Sequence, residues 1–268
     1  MTFDNSKLRA HKRTVQVMSS GSTSTRIITI GVGGATSSGK TTLAKHLRNC
    51  LPNSFTVHQD DFVPPAEQLP LDPEYGFANW DDAEGAVDWD RMAAFLSELK
   101  KTGALPADHK SFDSFNETAN VPVDGKVIQT WKTQSEELAA EYLEKHGVKL
   151  VWAIVDGFLL YWDVRIISNL DVRAFIRVPE DVARARREAR SYYTPEGDVW
   201  QDPPHYWEKI VWPAYVRAHK PLFEDEDVAK GDPNAKVQGL MLFESTATSM
   251  KDMVDTVMQK VLEVSAVG

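Results

Sequence analysis

Eight consecutive residues carry the clearest chemistry in this chain: Gly34-Ala35-Thr36-Ser37-Ser38-Gly39-Lys40-Thr41. They fit G-x-x-x-x-G-K-[ST], a loop whose backbone N–H groups cradle phosphate oxygens. Gly34 and Gly39 let the backbone curl inward, and a helix starting at Lys40 would add its positive dipole end. Small side chains at Thr36, Ser37 and Ser38 leave room for phosphates. Lys40 would reach the outer phosphates, and Thr41 offers a hydroxyl to Mg²⁺. The overlapping Gly31-Val32-Gly33 does not complete a dinucleotide fingerprint, because Thr36 stands at its third glycine position.

Three further clusters could act on a bound triphosphate. Asp60 and Asp61 can supply a carboxylate that takes the proton of an acceptor hydroxyl, with Asp61 the better placed. Asp156, before Gly157, can orient Mg²⁺ or its waters. Arg184, Arg186, Arg187 and Arg190 lie at helical spacing ahead of Tyr192 and Tyr193. They read as an arginine-bearing lid over about 185–202, able to neutralise transferring charge and exclude water.

These residues need strands and helices to position them. Arg26–Val32, Ser54–His58, Lys149–Val155, Asp171–Val178 and Gln238–Phe243 read as strands. Helices are expected over Lys40–Leu51, from an Asp88 cap to Lys101, from Pro179 to about Arg190, over Pro203–His219 and over Met250–Val264. Alternating strands and helices imply a three-layer α/β/α domain with a parallel sheet. In such sheets ligands bind beyond the carboxyl ends of the strands, where Gly34, Asp61 and Asp156 would all lie. Gln59–Gly85 is a long aromatic and acidic loop. The stretch 103–133 reads as a polar surface insertion with a turn or hairpin at Val121–Lys126. Residues 1–25 read as a basic disordered tail, and 26–268 as one domain.

Composition narrows the partners. With 30 Lys+Arg against 39 Asp+Glu the net charge is −9, which argues against a nucleic-acid binder. The apolar stretch Leu150–Trp162 is too short to span a bilayer, which takes about 20 residues. A single cysteine, Cys50, points to a reducing setting. A cytoplasmic protein is expected, with a nuclear pool allowed and a mitochondrial presequence the weaker reading of the tail. The guanine-reading Asn-Lys-x-Asp motif and the transporter signature Leu-Ser-Gly-Gly-Gln are both absent. A small-molecule kinase is the simplest class that is left.

In this order, Gly34–Thr42, Leu51-Pro52-Asn53, Gln59-Asp60-Asp61-Phe62, Trp80-Asp81, Asp156-Gly157-Phe158-Leu159-Leu160, Arg186–Tyr192 and Val211-Trp212-Pro213-Ala214-Tyr215 resemble the nicotinamide riboside kinases. These are a uridine-kinase-like branch of the phosphate-loop kinases. The resemblance implies a five-stranded sheet in the order 2-3-1-4-5. It also implies ATP- and Mg²⁺-dependent phosphorylation of the 5′-hydroxyl of nicotinamide riboside, with nicotinic acid riboside as a second substrate, by a monomer or weak homodimer. Carried over by position, Gly34, Ser37, Ser38, Gly39, Lys40, Thr41, Thr42 and Arg186 hold the nucleotide. Asp61 engages the 5′-hydroxyl as base, and Asp81 binds the ribose hydroxyls with help from Arg187. Trp80 and Tyr192 sandwich the pyridine ring. Arg190 belongs to the lid near the phosphates. Two positions depart from the family pattern: Trp80 stands where Tyr is expected, and Asp156 where Glu is expected. The rival readings are a uridine, cytidine or other metabolite kinase, and a non-catalytic ATP-dependent regulator.

Overall fold

The computed structural model describes residues 24–76, 78–106, 109, 111, 121–189, 192–193 and 199–267. The tail reading therefore falls outside the described residues, except that Ser24 and Thr25 already belong to the first strand.

The sheet strands are β1 (Ser24–Gly34), β2 (Ser54–His58), β3 (Val148–Gly157), β4 (Val172–Arg177) and β7 (Leu240–Glu244). Every neighbouring pair is parallel, in the order β2-β3-β1-β4-β7. Counting sheet strands alone, this is 2-3-1-4-5. A parallel sheet needs cover on both faces, and the period of two along each strand divides the core accordingly. Leu150, Trp152 and Ile154 of β3 pack with α1 (Lys40–Cys50) and α7 (Met250–Ala266). Ala153 and Val155 of the same strand face the opposite core, with α2 (Trp89–Thr102). Burying such side chains stabilises the fold by about 1.5–3 kcal/mol each.

Local chemistry sets the helix ends. The Asp88 carboxylate accepts the Arg91 N–H at the start of α2, and Ser249 caps α7 by accepting from Asp252 N–H. Gly103, in the left-handed region at φ 73°, closes α2.

Several segments differ from the sequence reading. Residues 125–133 are not a surface insertion: they open α3, a 22-residue helix over Gly125–His146. Ile128, Trp131, Leu138 and Tyr142 pack on α1 and α7, and Asp124 caps the start. No hairpin forms at Val121–Lys126, because Asp124 turns the chain directly into that helix. The segment Pro203–His219 is helical only from Tyr206, since His205 stands in the left-handed region at φ 66°. It runs as a wide π-helical turn over Trp207–Val211 and then as α6 (Trp212–His219). A short helix, α4 (Val164–Ser168), follows β3 and was not anticipated. After α5 (Glu180–Glu188), β5 (Tyr192–Tyr193) pairs antiparallel with β6 (Val199–Trp200). Among the described residues no helix is long and apolar enough to cross a membrane.

Candidate active site

The phosphate loop joins β1 to α1 at the carboxyl edge of the sheet. Its curl needs three positive φ angles: Gly34 at 145°, Ser37 at 59° and Gly39 at 107°. At Gly34 a side chain would also collide with the carbonyl oxygen of Ile176 on the next strand. Only glycine fits there without displacing β4. The Ser38 hydroxyl is buried and has no hydrogen-bond partner among the described residues. A buried unpaired hydroxyl beside a ring of amides suits a phosphate oxygen.

Strand register brings the second carboxylate to this loop. Val32 and Gly33 of β1 lie opposite Asp156 and Gly157 of β3, and His58 of β2 lies opposite Asp156 on the other side. The Thr41 hydroxyl donates to Asp156 Oδ2 at 2.6 Å, and His58 Nδ1 lies 3.6 Å from the same oxygen. Burial opposes the charged form of Asp156. The His58 imidazole, the Lys40 ammonium and the Thr41 hydroxyl outweigh it and hold the carboxyl below its ordinary value. Asp156 is therefore ionised at neutral pH, and its Oδ1 has no partner among the described residues. Thr41 Oγ1 and Asp156 are hard oxygen ligands of the kind that bind Mg²⁺ together with phosphate oxygens. Among the described residues no group of three or more His, Cys, Asp or Glu could hold a metal ion.

Asp61 lies one short turn beyond β2, in a single 3₁₀ turn over Gln59–Phe62. Gln59 pins that turn to the end of β3, its side-chain oxygen accepting the Leu159 N–H at 2.8 Å. Arg91 of α2 pins it from the other side, donating to the Asp61 carbonyl at 2.8 Å. Sequence reading missed His109, whose Nε2 lies 3.6 Å from Asp61 Oδ2.

The long loop after Asp61 is fastened at several points. Asp88 N–H closes it onto the Phe62 carbonyl at 2.8 Å. The Tyr206 hydroxyl donates to Ala78 O at 3.1 Å and accepts from Trp80 N–H at 3.4 Å. This fastens the loop that brings Asp81 to the pocket wall. Desolvation raises the Asp81 carboxyl above its ordinary value; Asp202 adds to the rise, while Arg187 and Lys40 oppose it. Lys40 thus acts electrostatically on both Asp81 and Asp156, favouring the charged form of each.

A narrow pocket lies between Ala35 and Thr36 of the phosphate loop and Asp81. Its walls are Phe158, Trp207, Val211, Trp212, Tyr215 and His219. Trp207 and Trp212 stack with ring centroids 5.7 Å apart. Burial pushes the His219 imidazole down to about 4, so it is a neutral wall at pH 7. The Tyr215 hydroxyl is buried with no hydrogen-bond partner among the described residues. Sequence reading had quoted Val211–Tyr215 without giving it a place. The signal available was the aromatic spacing at 207, 212 and 215.

The arginines divide. Arg186 donates to the Ser37 carbonyl at 3.2 Å, which sets α5 over the phosphate loop. Arg187 makes a two-point pair with Asp202, at 2.6 and 3.0 Å. Arg184 faces away and pairs with Glu188 and Glu208. Arg190 and the side chain of Tyr192 lie outside the described residues. Trp80 is half-buried and packs on the core under the loop. Thr42 lies in the first turn of α1.

No protein-family model matches the chain. Curated relatives do. The chain is 32% identical over 238 residues to the nicotinamide riboside kinase of Schizosaccharomyces pombe, covering 88% of this chain and 97% of that one. It is 33% identical over 199 residues to the enzyme of the same name from Eremothecium gossypii, covering 74% and 78%. It is 29% identical over 203 residues to mouse nicotinamide riboside kinase 2, covering 73% and 82%. With such identity spread along most of both chains, this protein belongs to the nicotinamide riboside kinase family.

Proposed function

We propose that the protein transfers the terminal phosphate of ATP to the 5′-hydroxyl of nicotinamide riboside, giving nicotinamide mononucleotide. The observation that carries this reading is the adjacency of two unlike surfaces. A phosphate loop backed by an ionised strand-end carboxylate borders a pocket lined by aromatic side chains and a second carboxylate, Asp81. Nicotinamide riboside is a flat cation joined to a sugar. Aromatic faces attract such a ring by about 0.5–2 kcal/mol each, and a carboxylate can accept from two vicinal hydroxyls.

Each residue then has a task. Gly34, Ser37, Ser38, Gly39, Thr42 and Arg186 cradle the nucleotide, and Lys40 offsets charge on the outer phosphates. Thr41 and Asp156 hold Mg²⁺, a fit supported by the unpaired Oδ1 and the ionised state of Asp156. The bound cation supplies neutralisation of phosphate charge. Asp61 accepts the proton of the 5′-hydroxyl as that oxygen attacks phosphorus. Asp81 holds the ribose hydroxyls with Arg187 beside it, and Trp80 and Tyr192 flank the ring. Arg190 closes the lid. Residues 26–268 work as one kinase domain, with an arginine-bearing lid over about 185–202.

ADP release, measured across nicotinamide riboside, nicotinic acid riboside, uridine and cytidine, tests the reading. Nicotinamide riboside is expected to be the better substrate than either pyrimidine nucleoside. Tight ATP binding with no acceptor turned over would favour a regulator instead.

A further inference from the structure

We propose that His109 is a positioning residue for Asp61. Its imidazole closes over the carboxylate beside Oδ2 and fixes the orientation in which that carboxylate meets the acceptor hydroxyl. The proposal rests on the reading of Asp61 as the base and adds a residue from the stretch after α2, to which no role had been given.

The geometry is specific. The Asp61 side chain is only 2% exposed and that of His109 13%. The imidazole packs on Phe95 and Phe62, with ring centroids 4.7 and 6.2 Å away. Its backbone N–H donates to Pro106 O at 3.1 Å, which fixes the turn that delivers it. Phe62 also carries the Arg91 guanidinium over its ring at 5.1 Å, and Arg91 in turn grips the Asp61 carbonyl. Backbone and side chain of Asp61 are thus approached from two elements at once.

Packing alone does not explain the residue. A phenyl ring would fill the space between Phe62 and Phe95 without burying a polar nitrogen. His109 Nε2 is buried, has no hydrogen-bond partner among the described residues, and its nearest acid is Asp61 Oδ2 at 3.6 Å. Leaving such a nitrogen unpaired is costly. With Nε2 carrying its hydrogen, the imidazole donates and the carboxylate oxygen accepts. The gap is a few tenths of an ångström too long for a hydrogen bond. Catalytic hydrogen bonds often stand open in this way in the free enzyme and shorten when substrate binds.

Two substitutions separate the ring from its N–H. His109→Phe keeps the stack and removes the donor; His109→Gln keeps a donor and removes the ring. His109→Phe is expected to lower kcat about 10-fold, the size of one charge-assisted hydrogen bond, with KM for ATP and riboside nearly unchanged. His109→Gln is expected to recover most of the loss. Wild-type kcat in His109→Phe, at unchanged Tm, would overturn the proposal. A second readout needs no turnover: the ¹⁵N resonance of His109 Nε2 in the full-length protein. Asp61→Asn is expected to shift it, and an unmoved resonance would equally overturn the proposal. Absence of riboside phosphorylation by the wild-type protein would sink the kinase reading instead, while the resonance still decides the contact.

Discussion

The two ends of the cleft are built differently. The phosphate end comes from one contiguous run, Gly34–Thr41, plus the strand-end residues His58 and Asp156 that parallel pairing sets beside it. The acceptor end is assembled from the turn after β2, the loop carrying Trp80 and Asp81, His109, and the 207–219 segment. Its members are far apart in sequence, and side-chain bonds from Tyr206 and Arg91 hold the Trp80–Asp81 loop and the Asp61 turn. The carboxylates register the contrast. Asp156 is held below its ordinary value by donors and cations, whereas Asp81 is pushed above it by desolvation. The phosphate end is preformed as a charged site. The acceptor end keeps a carboxylate that gains when a ligand's hydroxyls and positive charge arrive.

The largest effects should come where the ends meet. Asp61→Ala is expected to lower kcat by about 10²–10⁴, and near-wild-type turnover would remove Asp61 as the base. Lys40→Ala should lower kcat by about 10²–10³ for every acceptor alike. A loss confined to one acceptor would break the division of labour. Trp80→Ala belongs to the acceptor end alone. It should raise KM for nicotinamide riboside by roughly 3–30-fold, the worth of one cation–π contact, and leave KM for ATP unchanged. An unaltered riboside KM takes Trp80 out of the ring site.

The smallest effects concern stability and have opposite signs. Asp156 has a depressed folded pKa, so its contribution is present above the ordinary carboxylate value of 3.8 and is lost as pH falls through the folded value. Asp156→Asn should therefore lower Tm at pH 7 in the nucleotide-free protein. Asp81 has a raised folded pKa, so stability is lost as pH rises from 3.8 through the raised value. Asp81→Asn should raise Tm at pH 7 while raising KM for the riboside, and its Tm advantage should shrink as pH falls toward 3.8. Thermal melts at several pH values check both, and shifts of the same sign would erase the distinction between the two ends.

The same contrast explains what could be read from sequence. Ser54–His58, the Asp88 cap and the phosphate loop depend on neighbours in the chain, and each is found where its residues imply. The whole of α3 escaped notice although Ile128, Trp131, Ser135, Leu138 and Tyr142 repeat at three and four residues. Polar residues between them masked the period. The open turn at Trp207–Val211 has no local signature. His109 and Tyr215 are ordinary residues until folding sets one beside Asp61 and buries the other's hydroxyl in the pocket. Contacts that depend on tertiary placement leave little trace in a linear pattern.

The central claim is that a preformed phosphate site serves a cation-binding acceptor site. It is tested most directly by kcat/KM for nicotinamide riboside against uridine at one saturating ATP concentration, read as ADP release. The account predicts a clear preference for the riboside that Trp80→Ala reduces. Equal or greater turnover of uridine would contradict it.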